Sequence, residues 1–133
     1  QSFSGLEADP ILTRARDAAT DGDVVLRLQA LPTAMGDLLG ALRDAVPEVG
    51  VAADVLSGRV RASAPAEAVS PGAVTDLRAH VSRLGGDVVL ERAPRELVEA
   101  VGAYGEGGPS GMIRTKLRER FDPHGILSVG RFM

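Results

Sequence analysis

Three arginines occupy positions from which strand alternation can aim them at one anionic ligand. In Asp23-Val24-Val25-Leu26-Arg27-Leu28-Gln29-Ala30, residues Val24, Leu26 and Leu28 share one face, and Val25, Arg27 and Gln29 share the other. In Arg59 to Ser63, Val60 and Ala62 oppose Arg59, Arg61 and Ser63. A guanidinium group is always charged, and its planar fork matches a carboxylate through two parallel hydrogen bonds. Arg59 and Arg61, followed by Arg27, are therefore the candidate substrate-binding residues for a small molecule carrying a carboxylate. The same alternation also describes the wet side of a half-covered sheet, and the two readings can hold for different residues. Glu91 lies between Leu90 and Arg92 in a third such run, where alternation leaves its face open.

Other reactive side chains are few, and no catalytic residue can be named. The absence of cysteine excludes disulfides, thiolate metal sites, iron–sulfur clusters and cysteine nucleophiles. His80 and His124 are too far apart in sequence to make a metal site alone, so no metal is expected. His124 falls in a turn, where a surface or hydrogen-bonding role outweighs that of a base. Tyr104, the only tyrosine, sits in Gly102-Ala103-Tyr104-Gly105-Glu106-Gly107-Gly108-Pro109-Ser110-Gly111. It reads as an anchor for its loop, within reach of a substrate as the alternative. That glycine-rich run lacks the lysine of a phosphate loop and does not follow a strand, so it reads as a flexible connection.

A net charge of −3 and a pI near 5.4, with 3% aromatic residues, argue against a nucleic-acid partner. The apolar runs fall short of a membrane span. At 133 residues the chain fits one compact domain. It begins at Gln1 without a signal segment, and so reads as an excised or processed piece with a cytoplasmic location expected. Abundant alanine, glycine, valine and arginine with almost no lysine suggests a GC-rich bacterial source.

Positioning these side chains falls to a short series of elements. Residues 1–22 read as a lead-in or linker with a short helix over Ile11 to Ala19, and residues 23–133 as the domain. A strand over Asp23 to Ala30 leads through Pro32-Thr33 into a helix whose stripe is Met35, Leu38, Leu39, Leu42 and Val46, stopped at Pro47. Val49 to Val55 and Arg59 to Ser63 form a hairpin about Leu56-Ser57-Gly58. Ser70-Pro71 opens a second helix with Val74, Leu77, Val81 and Leu84 buried, ended by Gly85-Gly86. A strand over Asp87 to Arg92 and a helix over Arg95 to Val101 follow. The order predicts an α+β, ferredoxin-like βαββαβ antiparallel sheet with helices on one face, plus a C-terminal helix. That last helix is expected to start at a Ser110 cap and to pack through Ile113, Leu117 and Phe121. Arg114, Lys116, Arg118 and Arg120 then lie mainly on its other faces, solvated or docked on an acidic neighbour. Asp122-Pro123 ends it, Gly125 allows a reversal, and Ile126 and Leu127 return to the core.

The tail also carries a resemblance. Phe121-Asp122-Pro123-His124-Gly125-Ile126-Leu127, with Gly130-Arg131-Phe132, is similar to the C-terminal signature of FAD-linked oxidases of the vanillyl-alcohol-oxidase type. The likeness is greatest to the FAD-binding subunit of bacterial glycolate oxidase. Ser128-Val129 stands where the family has Asn-Pro, so no role of that asparagine carries over. Leu26 to Leu42 and Gly85-Gly86 with Val88 to Pro94 extend the resemblance over roughly Asp23 to Met133.

In such enzymes a ferredoxin-like cap follows the FAD-binding domain, and this chain matches the cap alone. The resemblance implies FAD held mainly by an N-terminal domain of the same protein, and oxidation of a 2-hydroxy acid such as glycolate. It also implies contact with that domain and with other oxidase subunits. The open sheet face would roof the flavin, one arginine holding the substrate carboxylate, and the chain alone would be inactive. Neither histidine offers a basis for a covalent flavin link. The alternative, from a different class, is a non-catalytic ferredoxin-like module that binds a small ligand or oligomerises through its open sheet.

Overall fold

A computed structural model describes residues 20–105, 108–124 and 126, with isolated positions 10, 13 and 17 ahead of them. The helix expected over Ile11 to Ala19 lies largely outside the described residues, as do Gly125 and Leu127. The remaining elements follow the expected order: β1 (Val24–Gln29), α1 (Met35–Ala45), β2 (Gly50–Asp54), β3 (Arg59–Ala64), α2 (Pro71–Arg83), β4 (Asp87–Arg92), α3 (Arg95–Val101) and α4 (Gly108–Phe121).

The sheet order is β2-β3-β1-β4, with every neighbouring pair antiparallel. This is the α+β, ferredoxin-like arrangement, in which each strand-helix-strand crossover skips one strand and places its helix on a common face. Alternation decides which face is dry. Val24, Leu26 and Leu28 from β1, Val60, Ala62 and Ala64 from β3, and Val88 and Leu90 from β4 are buried in one cluster. The helices complete it with Met35, Leu38 and Leu42, with Val74, Leu77 and Val81, and with Leu97 from α3. Leu39 and Leu84 pack against its margin, half-buried.

Local chemistry sets the element ends. Pro32 to Ala34 form a single 3-10 turn before α1. Ser70 caps α2, its Oγ accepting from the Ala73 N–H at 3.1 Å, and Pro71 occupies the first turn, where no backbone donor is needed. The β2-β3 hairpin turns at Gly58, whose φ of +68 suits glycine. A Cβ there would come within 1.9 Å of the Ala30 carbonyl oxygen, which leaves no room for any larger residue.

The C-terminal part departs from expectation. The glycine-rich connection is shorter than predicted, because α4 begins at Gly108 and places Ser110 inside the helix rather than at its cap. Pro109 accounts for the earlier start, since proline is compatible with a first helical turn. The helix does end at Phe121, before Asp122-Pro123, and the Asp122 carboxylate accepts from the Ile126 N–H at 2.8 Å. Its apolar stripe is not packed: Ile113, Leu117 and Phe121 are 62%, 51% and 72% exposed, and Ile126 also stays outside the core. The two layers already close over the sheet's apolar face, so the interior has no place left for this stripe.

Candidate functional site

The three candidate arginines do share one sheet face, opposite the helices. Register sets Arg27 on β1 directly across from Arg61 on β3, and Gln29 across from Arg59. Arg59 in turn faces Asp54 on β2. Along β3, Arg59 and Arg61 are two residues apart, or roughly 7 Å at the usual strand rise.

Two like charges in direct cross-strand register repel, and the fold relieves this with Glu91. The β1-β4 pairing slips between Val25 and Leu26: Val25 meets Arg92 while Leu26 meets Leu90. Glu91 is thus the extra residue of a bulge: it keeps the face of Val89, and the slip sets Arg92 opposite Val25 on that same face. Its carboxylate lies 2.8 Å from Arg61 Nη2 and 3.6 Å from Arg27 Nε, bridging three strands. These side chains remain between 29% and 48% exposed, so water still screens them. The face Glu91 occupies, left open by the sequence, is therefore that of the arginines.

The bridge divides the candidates. Arg27 and Arg61 share one carboxylate, leaving the trio a net charge of +1 and an anionic ligand weaker claims on both. Arg59 forms no ion pair within 4.0 Å among the described residues. Beside it, Asp54 closes the hairpin turn, accepting from the Ser57 N–H at 3.2 Å. Hydrogen bonding from Ser57, side chain first and then backbone, holds the Asp54 carboxyl below the usual carboxylate range, and Arg59 adds to this. Ser63, expected to project with the arginines, does share their face but is buried, as are Val25 and Val89. This end of the face lies beside the lead-in: Arg92 Nη1 donates to the Thr20 carbonyl at 3.1 Å and to that of Gly22 at 3.4 Å. The exposed part of the face is the end that bears Arg27, Gln29, Arg59 and Arg61.

Tyr104 lies in a segment held by an arginine that sequence reasoning missed. From α2, Arg78 donates through Nε to the Val88 carbonyl at 3.3 Å, through Nη1 to Val101, and through Nη2 to Gly102 at 2.8 Å and Ala103 at 3.0 Å. Burial lowers its pKa, because desolvation disfavours the charged form. Gly105 fits against this guanidinium with a φ of +64; a Cβ would sit 3.1 Å from Arg78 Cζ. Leu90 N–H donates to the Ala103 carbonyl at 2.8 Å, so this segment also covers the outer edge of β4. The available signal was the placement of Arg78 between Val74 and Val81 at helical spacing, a charged residue bordering a buried stripe.

His80 makes a 3.3 Å contact through Nδ1 with Arg83, and His124 is exposed in the turn after α4. Among the described residues no group of three or more metal-ligating side chains assembles, and no helix is long and apolar enough to cross a membrane. Comparison of the chain with protein-family models, curated proteins and solved structures finds no match.

Proposed function

We propose that the chain is the substrate-side cap of an FAD-dependent oxidoreductase acting on a 2-hydroxy acid such as glycolate. Two things support this: the likeness of the tail from Phe121 to Leu127, and an exposed sheet face carrying Arg27, Arg59 and Arg61. The observation that carries the site is Arg59, a surface guanidinium with no ion pair among the described residues, set beside Gln29. It binds the substrate carboxylate; Arg61 and Arg27, oriented by Glu91, supply a weaker positive field around it.

The described residues do not fit FAD as its principal holder. Gly102 and Gly105, the glycines of the connection with positive φ, pack against backbone and Arg78 rather than framing a phosphate cradle. On this reading the flavin is held mainly by an N-terminal domain of the same protein, and this chain contributes binding and orientation of the substrate.

The test is a protein in which this chain follows its native upstream sequence. Purified, it should show flavin absorbance and oxidise glycolate or a close 2-hydroxy acid. Arg59→Ala should raise KM about 10- to 100-fold with a smaller change in kcat, the pattern of lost ground-state binding. A flavin-free protein ends the oxidase reading, and unchanged KM removes Arg59 from the site. The Glu91 bridge favours a second reading: with two of three arginines sharing one carboxylate, the face also suits a non-catalytic module that binds a small anion.

A further inference from the structure

On the helical side, far from the arginines, an open groove of about 840 Å³ runs between α1 and α2. Small residues line its floor: Gly36, Gly40 and Ala41 from α1, and Ala73 from α2. A Cβ built at Gly36 or Gly40 would meet nothing within 4 Å, so the space above both is free. The charged residues along the groove are Asp37, Asp44 and Asp76. His80 is also at its margin, contacted by Arg83 from its own helix.

The described part of α4 has the reciprocal surface. Ile113, Leu117 and Phe121 recur every four residues as one exposed stripe. At 3.6 residues per turn, Lys116 and Arg120 border that stripe on one side and Arg118 on the other, while Glu119 falls on the opposite face. The cations thus frame the apolar seam. A helix of this kind matches an acidic surface with some apolar ground between its charges, and the shallow α1/α2 groove offers Ala41, Ala45, Leu77 and Leu84 between Asp37, Asp44 and Asp76.

We propose that α4 of one copy docks in the α1/α2 groove of a second copy. Each copy carries both halves, so reciprocal docking closes a two-fold dimer. The apolar stripe leaves water against the glycine and alanine floor, where large side chains need small partners. Lys116, Arg118 and Arg120 meet Asp37, Asp44 and Asp76. The inference is independent of the flavoprotein reading and concerns a surface on the opposite side of the sheet.

Sedimentation of the 133-residue chain at roughly 100 μM in low salt should show a dimer. Raising the salt to about 0.5 M should weaken it several-fold, because the framing charges are exposed. Leu117→Asp disables the helix and Gly40→Arg the groove; each alone should weaken association at least about 100-fold. Both sites face solvent, and unchanged circular dichroism and melting confirm that both variants fold. Mixing the two should restore a heterodimer through the one intact interface, since the Gly40→Arg copy keeps its helix and the Leu117→Asp copy its groove. A wild-type monomer overturns the proposal, as does a dimer indifferent to both substitutions. Two further results also overturn it: a Cys pair at Leu117 and Ala41 that cross-links only within one chain, and binding of α4 to vesicles of anionic phospholipid without self-association.

Discussion

Glu91→Gln tests the electrostatic reading of the sheet face with almost no change of shape. The substitution removes the charge shared by Arg61 at 2.8 Å and Arg27 at 3.6 Å, and exposes the repulsion of two arginines in direct register. Partial exposure keeps the lost attraction near 1 kcal/mol. Unmasking the like-charge pair adds roughly 0.5 kcal/mol. The total of about 1.5 kcal/mol corresponds to a melting temperature lower by roughly 6 °C for a domain of this size. Urea unfolding of wild type, Glu91→Gln, Arg61→Gln and the double variant isolates the pair, with a coupling energy of about 0.5–1 kcal/mol expected in low salt and less in high salt. The same substitution releases two guanidinium groups, so affinity for glycolate or sulfate, followed by amide chemical shifts of β1 and β3, should rise about fivefold. A coupling energy indistinguishable from zero in low salt, with unchanged anion affinity, would refute the assignment of Glu91 as the bridge.

Arg78→Met keeps much of the packing but takes the guanidinium from the carbonyls of Val88, Val101 and Gly102 and leaves that of Ala103 with the Leu90 N–H; a loss of about 3 kcal/mol is expected in urea unfolding, with faster amide exchange at residues 101–105. Arg78→Lys should recover less than half of it, one ammonium being unable to span four acceptors, and full recovery would show that charge rather than geometry matters. Asp54 predicts an acid limb. Its carboxyl is depressed in the folded state, so its contribution is present above the ordinary aspartate pKa and is lost as pH falls through the folded value. The stability gap between wild type and Asp54→Asn, measured by urea midpoints, should therefore narrow from pH of about 6 to about 3, and a gap independent of pH would contradict the turn assignment.

Much of this architecture was legible in the chain because it rests on short-range chemistry. The runs from Val24 to Gln29 and from Asp87 to Arg92, the Ser70-Pro71 start and the Gly58 turn depend on neighbours a few residues away. Alternation likewise put Arg27, Arg59 and Arg61 on one face before any pairing was known. The partners of Glu91 were not legible: alternation from Leu90 sets it on the arginines' face, but which side chains it meets depends on how β4 pairs with β1, and the slip between Val25 and Leu26 is a property of two paired strands. Nor was Arg78, whose four acceptors come from β4, from the last residue of α3 and from the two residues after it.

The α4 stripe marks the same division. Its four-residue repeat is a property of the sequence, and the repeat predicts a face that wants cover. Whether that cover exists within the fold depends on how much of the sheet's apolar face the other helices leave open, and here they leave none for Ile113, Leu117 and Phe121. Local propensity and periodicity therefore determined the elements and the faces of their side chains. Tertiary packing alone decided which charges meet and which apolar face remains uncovered, because both depend on residues that are distant in the chain.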